Sequence, residues 1–241
     1  LQLTILMAAC RIIYPQWWFL ARPTLAAQIV VALVAWVVLT PLVLGTNAAV
    51  NIVFSILDWQ RDTHPLAKLG GRSIQESVLF FFQACIAAPI VEEAIFRGAI
   101  LAWLIGGRKP LPTPDVPQRL RSWLVVLIAL LFTSLSMRDG AIVLSGKEGA
   151  TIFTLLLIVG LAAVNFSFRT KRRTLGGIYT SAALFAVIHS GIWPSPIPLF
   201  LLGLGLGWLA VRTRGILVPI IVHGLFNAVS TVFVLMQPAM N

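Results

Sequence analysis

Ala88-Pro89-Ile90-Val91-Glu92-Glu93-Ala94-Ile95-Phe96-Arg97-Gly98 sets two adjacent carboxylates and an arginine inside an apolar segment that runs from about Val78 to Ile105. At the centre of a membrane-spanning helix each such charge costs roughly 2.5–3.5 kcal/mol on insertion scales, so charged residues there face a protein interior or a water-filled cavity. Three ionisable groups in one apolar stretch therefore read as a functional site.

The rest of the chain supports a membrane setting for that stretch. Of its 241 residues 59% are hydrophobic and 11% charged, and the mean hydropathy is +0.93. These values belong to a polytopic membrane protein rather than a soluble domain. The net charge of +10 does not point to nucleic acid, because the basic residues sit in short clusters between apolar segments instead of on one solvated face. Cys10 and Cys85 both have apolar neighbours and no C-x-x-C spacing. Buried thiols without a disulfide or redox role are expected.

Working outward, residues 3 to 20 read as an interfacial helix ending in Trp17-Trp18-Phe19, aromatics that favour the headgroup level. Leu25 to Leu44 is the first full span. A short apolar stretch, 48 to 57, leads into a polar loop from Asp58 to Arg72 that carries His64. Ser73 or Ser77 opens the carboxylate helix, Pro89 kinks it, and Gly106-Gly107 stops it. After a basic, proline-rich loop come spans near Trp123 to Ser136 and Ala150 to Phe168, then three closely spaced segments at about 176–192, 197–211 and 215–236. The expected fold is all-α: a polytopic transmembrane bundle of about eight membrane helices, with the site between them. Residues 1–73 form an N-terminal part and 74–236 a core.

Alternating the loops across a bilayer puts Arg11, Arg22, Arg108, Lys109, Arg119, Arg121, Arg169, Lys171, Arg172, Arg173, Arg212 and Arg214 on one side. By the positive-inside rule that side is cytoplasmic. The expected location is a prokaryotic plasma membrane.

The other polar residues within spans are His189, His223 and Asn227. Counting about 1.5 Å per residue from each cytoplasmic helix end places Glu92 and His189 roughly 20 Å deep, Asn227 about 18 Å, and Arg97 and His223 about 12 Å. Glu93 and Arg97, four apart, suit an ion pair, which leaves Glu92 as a second carboxylate able to act as a general base. Ser181 and Ser190 lie outside any G-x-S-x-G context, and neither cysteine has a basic neighbour in sequence. The set suits water activation, with a carboxylate taking the proton, a histidine positioning the water, and Asn and His donors stabilising an oxyanion. A zinc ion held by Glu92, His189 and His223 is the alternative. A non-enzymatic immunity or scaffold protein and a proton-coupled transporter are the rival classes; no inverted repeat favours the transporter.

E-E-x-x-x-R at Glu92-Glu93 to Arg97, F-x-x-x-H at Phe185 to His189 and H-x-x-x-N at His223 to Asn227, in that order on separate spans, resemble the three motifs of the CAAX-protease and bacteriocin-processing (CPBP) intramembrane endopeptidases. The resemblance covers about residues 74 to 236. It implies hydrolysis of a peptide bond in a membrane-associated protein, lipidated or membrane-anchored, without a metal cofactor. By the same resemblance Glu92 is the general base, His189 helps hold the attacking water, His223 and Asn227 form the oxyanion hole, and Glu93 with Arg97 orders the site. The implied partners are the substrate protein and the lipid bilayer, with no nucleic acid.

Overall fold

The computed structural model describes residues 24–59, 62, 73–105, 123, 124, 127, 135–138, 141–144, 148–167 and 172–235. The expected interfacial helix at 3–20, most of the 58–72 loop, the 108–121 loop and most of the span at 123–136 lie outside these residues. Six helices are described: α1 Leu25–Ile56, α2 Ile74–Ile105, α3 Glu148–Ser167, α4 Arg172–Val187, α5 Pro196–Thr213 and α6 Leu217–Leu235. Between α2 and α3 a small antiparallel hairpin pairs β1 (Leu135–Arg138) with β2 (Ala141–Leu144), Leu135 opposite Leu144. The last two positions of the span expected near 123–136 thus lie in a strand. Among the described residues α1, α2 and α5 are long and apolar enough to cross a membrane, while the apolar parts of α3, α4 and α6 are shorter. The expected eight spans are not reached among them.

Helix α1 corrects the expectation of a span ending at Leu44 followed by a separate short segment. It continues for 32 residues through Pro41 and Gly45-Thr46-Asn47. Its polar residues turn back on the helix: Thr46 Oγ1 donates to the Leu42 carbonyl at 2.8 Å and Asn51 Nδ2 to the Asn47 carbonyl at 2.8 Å. Such back-bonding satisfies the side chain without opening the backbone. Val30, Val34, Val37 and Val38 are all exposed, as expected of a helix whose solvent is lipid. At about 1.5 Å per residue, 32 residues exceed the roughly 30 Å hydrocarbon core. The surplus is accommodated by tilt or by an extension beyond the bilayer.

The chain divides into two compact units, one of Leu1–Pro41, Thr63–Ala99 and Leu209–Asn241 and one of Leu42–Asp62 and Ile100–Trp208. In the first, α2 and α6 pack together, with Ala94 and Ile216 at the centre and Ala99 and Ile220 beside them. Ser73 opens α2 through a capping box: the Glu76 N–H donates to Ser73 Oγ at 3.3 Å while the Ser73 N–H donates to Glu76 Oε2 at 2.9 Å. This reciprocal pair satisfies two amide donors that a helix start would otherwise leave open.

The second unit has an aromatic core of Phe54, Phe153, Leu157, Ala183, Ala186, Val187 and Trp193. Phe153 meets Trp193 and Phe200 edge-on at centroid distances of 5.9 and 6.2 Å, the arrangement favoured by the ring quadrupole. Helices α4 and α5 run antiparallel at close range. A Cβ on Gly203 would lie 3.1 Å from Ala182, and one on Gly207 3.1 Å from Ile178. Small residues at such crossings let backbones approach in lipid.

Candidate functional site

In α2 the regular i→i+4 ladder gives way twice to wider i→i+5 turns, at Gln83–Ala87 and at Ala94–Leu101, on either side of the six-residue α-helical piece Ala88–Glu93 that carries both carboxylates. Pro89 lies at the start of that piece and is buried. It has no N–H. In the wider turn the Ala88 N–H already reaches Gln83 O, so the next donor in that pattern, for Ala84 O, is residue 89. The donor is missing, and Asn227 supplies it from α6: its Nδ2 donates to the Ala84 carbonyl at 2.9 Å. Beside this bond Gly224 comes so near α2 that a Cβ there would lie 2.6 Å from the Cys85 carbonyl oxygen.

One turn further along α2, Glu93 and Arg97 are fully buried. Arg97 Nη1 donates to Glu93 Oε1 at 2.8 Å, an i, i+4 pair as expected. The same oxygen lies 3.0 Å from His223 Nδ1. An ionised carboxylate only accepts, so Nδ1–H is the donor of this bond and Nε2 is turned toward Glu92. Glu93 Oε2 is buried and takes no hydrogen bond among the described residues. Glu92 stands on the open side, 25% exposed, with Oε2 3.8 Å from His223 Nε2. His223 is thus held between two carboxylates, one bonded and one facing it.

The depth count put Glu92 and His223 about 8 Å apart along the membrane normal, an offset that the two side chains close to 3.8 Å.

His189 lies in the second unit. It does not sit within a span ending near 192, because α4 stops at Val187. Tight i→i+3 bonds follow, from the His189 N–H to Ala186 O at 3.0 Å and the Ser190 N–H to Val187 O at 3.0 Å, and Gly191 and Pro194 prevent the helix from resuming. Its Nδ1 lies 2.7 Å from Phe185 O, and its ring packs on that of Phe185 with centroids 5.0 Å apart. The four-residue spacing of F-x-x-x-H thereby orients the ring, with Nδ1–H donated to the Phe185 carbonyl. The turn is held by a residue the sequence reading passed over. Asp62 accepts the Trp193 N–H on Oδ2 at 2.9 Å and donates its own N–H to Trp193 O at 2.9 Å. A lone aspartate in a polar loop gives no sequence signal of that role.

The structure therefore brings Glu92, Glu93, Arg97, His223 and Asn227 into one cluster on two helices. Among the described residues no group of three or more His, Cys, Asp or Glu side chains is arranged to hold a metal ion. Cys85 is a buried free thiol, 3.8 Å from Thr231 Oγ1.

A family model described as type II CAAX prenyl endopeptidase Rce1-like matches residues 74–174 and 152–229. The two matches overlap and together cover 156 of the 241 residues, including every residue of the cluster. No curated protein and no solved structure matches the chain.

Proposed function

Since the chain belongs to the Rce1-like type II CAAX prenyl endopeptidase family, we propose that it hydrolyses a peptide bond of a membrane-associated protein within the bilayer, with Glu92 as the general base and no metal. The observation that supports this reading best is the arrangement of His223, whose Nδ1 meets Glu93 Oε1 at 3.0 Å while Nε2 faces Glu92 Oε2 at 3.8 Å.

A water donating one hydrogen to Glu92 and the other to Nε2 keeps its lone pairs free for a substrate carbonyl. As its oxygen bonds to the carbonyl carbon, one proton passes to Glu92. Transfer of that proton to Nε2 makes an imidazolium that Glu93 stabilises through Nδ1, with Arg97 bonded to the same carboxylate oxygen. The new Nε2–H and an N–H of Asn227 then stabilise the oxyanion. Collapse breaks the C–N bond, and Nε2 returns the proton to the leaving amine. By the family resemblance His189 assists in holding the water. The basic turns, including the exposed Arg212 and Arg214, face the cytoplasm in this reading and attract anionic headgroups.

The test uses purified protein in proteoliposomes and an internally quenched farnesylated CAAX peptide. Glu92→Gln is expected to leave the protein folded and abolish cleavage, because the amide keeps the shape but accepts no proton. Strong chelators are expected to leave the wild-type rate unchanged. Cleavage that survives Glu92→Gln contradicts the assignment of Glu92 as the base, and a peptide left uncut by the wild type favours a scaffold or transporter. Inhibition by chelators, reversed by zinc, replaces it with the Glu92, His189 and His223 metal site.

A further inference from the structure

We infer that Pro89 is a positioning residue whose missing N–H reserves the Ala84 carbonyl for Asn227, and so fixes the orientation of the Asn227 amide and the register of α6 against the carboxylate piece of α2. The inference deepens the proposed function, since it rests on Asn227 serving that site.

Three observations carry it. In the wide turn Gln83–Ala87 the Ala88 N–H bonds to Gln83 O, so the pattern calls next for a donor at residue 89, where proline has none. The Ala84 carbonyl is met instead by Asn227 Nδ2 at 2.9 Å. The adjacent Cys85 carbonyl, whose ordinary α-helical donor is also residue 89, faces Gly224 at a range that excludes a Cβ. The carbonyl released by the proline and the one after it thus both lie against one turn of α6. That turn also carries His223.

The consequence for Asn227 is chemical. Its amide oxygen and nitrogen are nearly the same size, and a flipped amide would present an acceptor where the oxyanion needs a donor. Because Ala84 O can only accept, the bond forces Nδ2 toward α2. One of its two N–H groups is then anchored and the other remains for the reaction.

The coupling is tested first without any substrate, by thermal unfolding of the full chain in detergent as a double-mutant cycle. In the wild-type background Asn227→Ala strands the Ala84 carbonyl. In a Pro89→Ala background the new N–H at residue 89 supplies a donor, so the Tm loss caused by Asn227→Ala is expected to fall to half or less. Equal losses in the two backgrounds overturn the inference. The second arm replaces Pro89 by lactic acid through nonsense suppression. The resulting ester lacks both the N–H and the ring. With the farnesylated CAAX peptide, Pro89→Ala is expected to lower kcat about tenfold at unchanged KM, the scale of a partial loss of an oxyanion-hole donor. The ester is expected to restore it. An ester variant as slow as Pro89→Ala, or Pro89→Ala as fast as wild type, overturns the inference. If wild-type protein leaves the peptide uncut, the proposed function fails while the unfolding cycle still decides the coupling.

Discussion

Glu93 Oε1 accepts from both Arg97 and His223, so each substitution here changes two interactions at once. Arg97→Ala leaves a fully buried carboxylate without its cation, and removing one partner of a buried pair costs about 3–5 kcal/mol. Thermal unfolding in detergent is expected to show a large loss. The double variant Glu93→Gln with Arg97→Met removes both charges together, and is expected to recover most of that stability. It is not expected to recover cleavage, because the imidazolium of His223 loses the carboxylate that stabilises it. Recovery of both would show that the pair serves folding alone. The i, i+4 partnership of Glu93 with Arg97, and Glu92 as the carboxylate left over, were legible in E-E-x-x-x-R because a helix repeats every 3.6 residues. The bond from Glu93 to His223, 130 residues along the chain, was not. The H-x-x-x-N spacing shows that His223 and Asn227 share a helix face, but not which atoms that face will meet.

At the scale of elements, the contact between α2 and α6 is set by backbone as much as by side chains. Gly224→Ala would place a Cβ 2.6 Å from the Cys85 carbonyl oxygen, and a helix backbone cannot step aside as a flexible side chain can. The helices must separate, and overpacking of this kind costs about 1–3 kcal/mol. Gly224→Ala is therefore expected to lower Tm and to suppress cleavage by moving His223 away from Glu92. Gly203→Ala, whose nearest neighbour is 3.1 Å away at Ala182 in the other unit's core, is expected to cost less and to leave kcat within about threefold, because a few tenths of an ångström relieve it. A Gly224→Ala variant with wild-type turnover would mean that the α2 and α6 backbones need not approach so closely. Hydropathy, caps and proline made the helices legible: Ser73 opens α2 as its capping box requires, and the last three helices lie within a few residues of their expected positions. The wide turns in α2 left no trace in composition, since they depend on which carbonyl each N–H reaches. For the same reason the placement of His189 beyond the end of α4 was missed.

For the whole molecule, hydropathy and family both make this an integral membrane protein, and the side that each turn faces is the next property to measure. Gly191, exposed in the turn before α5, and Arg212, exposed near the far end of α5, are expected on opposite membrane surfaces if α5 spans the bilayer. In sealed vesicles of known orientation, Arg212→Cys is expected to react with an impermeant maleimide from the cytoplasmic side, and Gly191→Cys from the other. Reversed labelling contradicts the orientation drawn from the basic clusters. The central claim, that this chain cuts membrane-associated proteins by means of Glu92, is tested most directly without assuming a substrate. The measurement compares membrane-protein termini in cells producing wild-type protein or Glu92→Gln at equal levels. The expected result is a defined set of new termini, within or next to membrane-anchored segments, present only with the wild type. Identical termini in the two samples would contradict it.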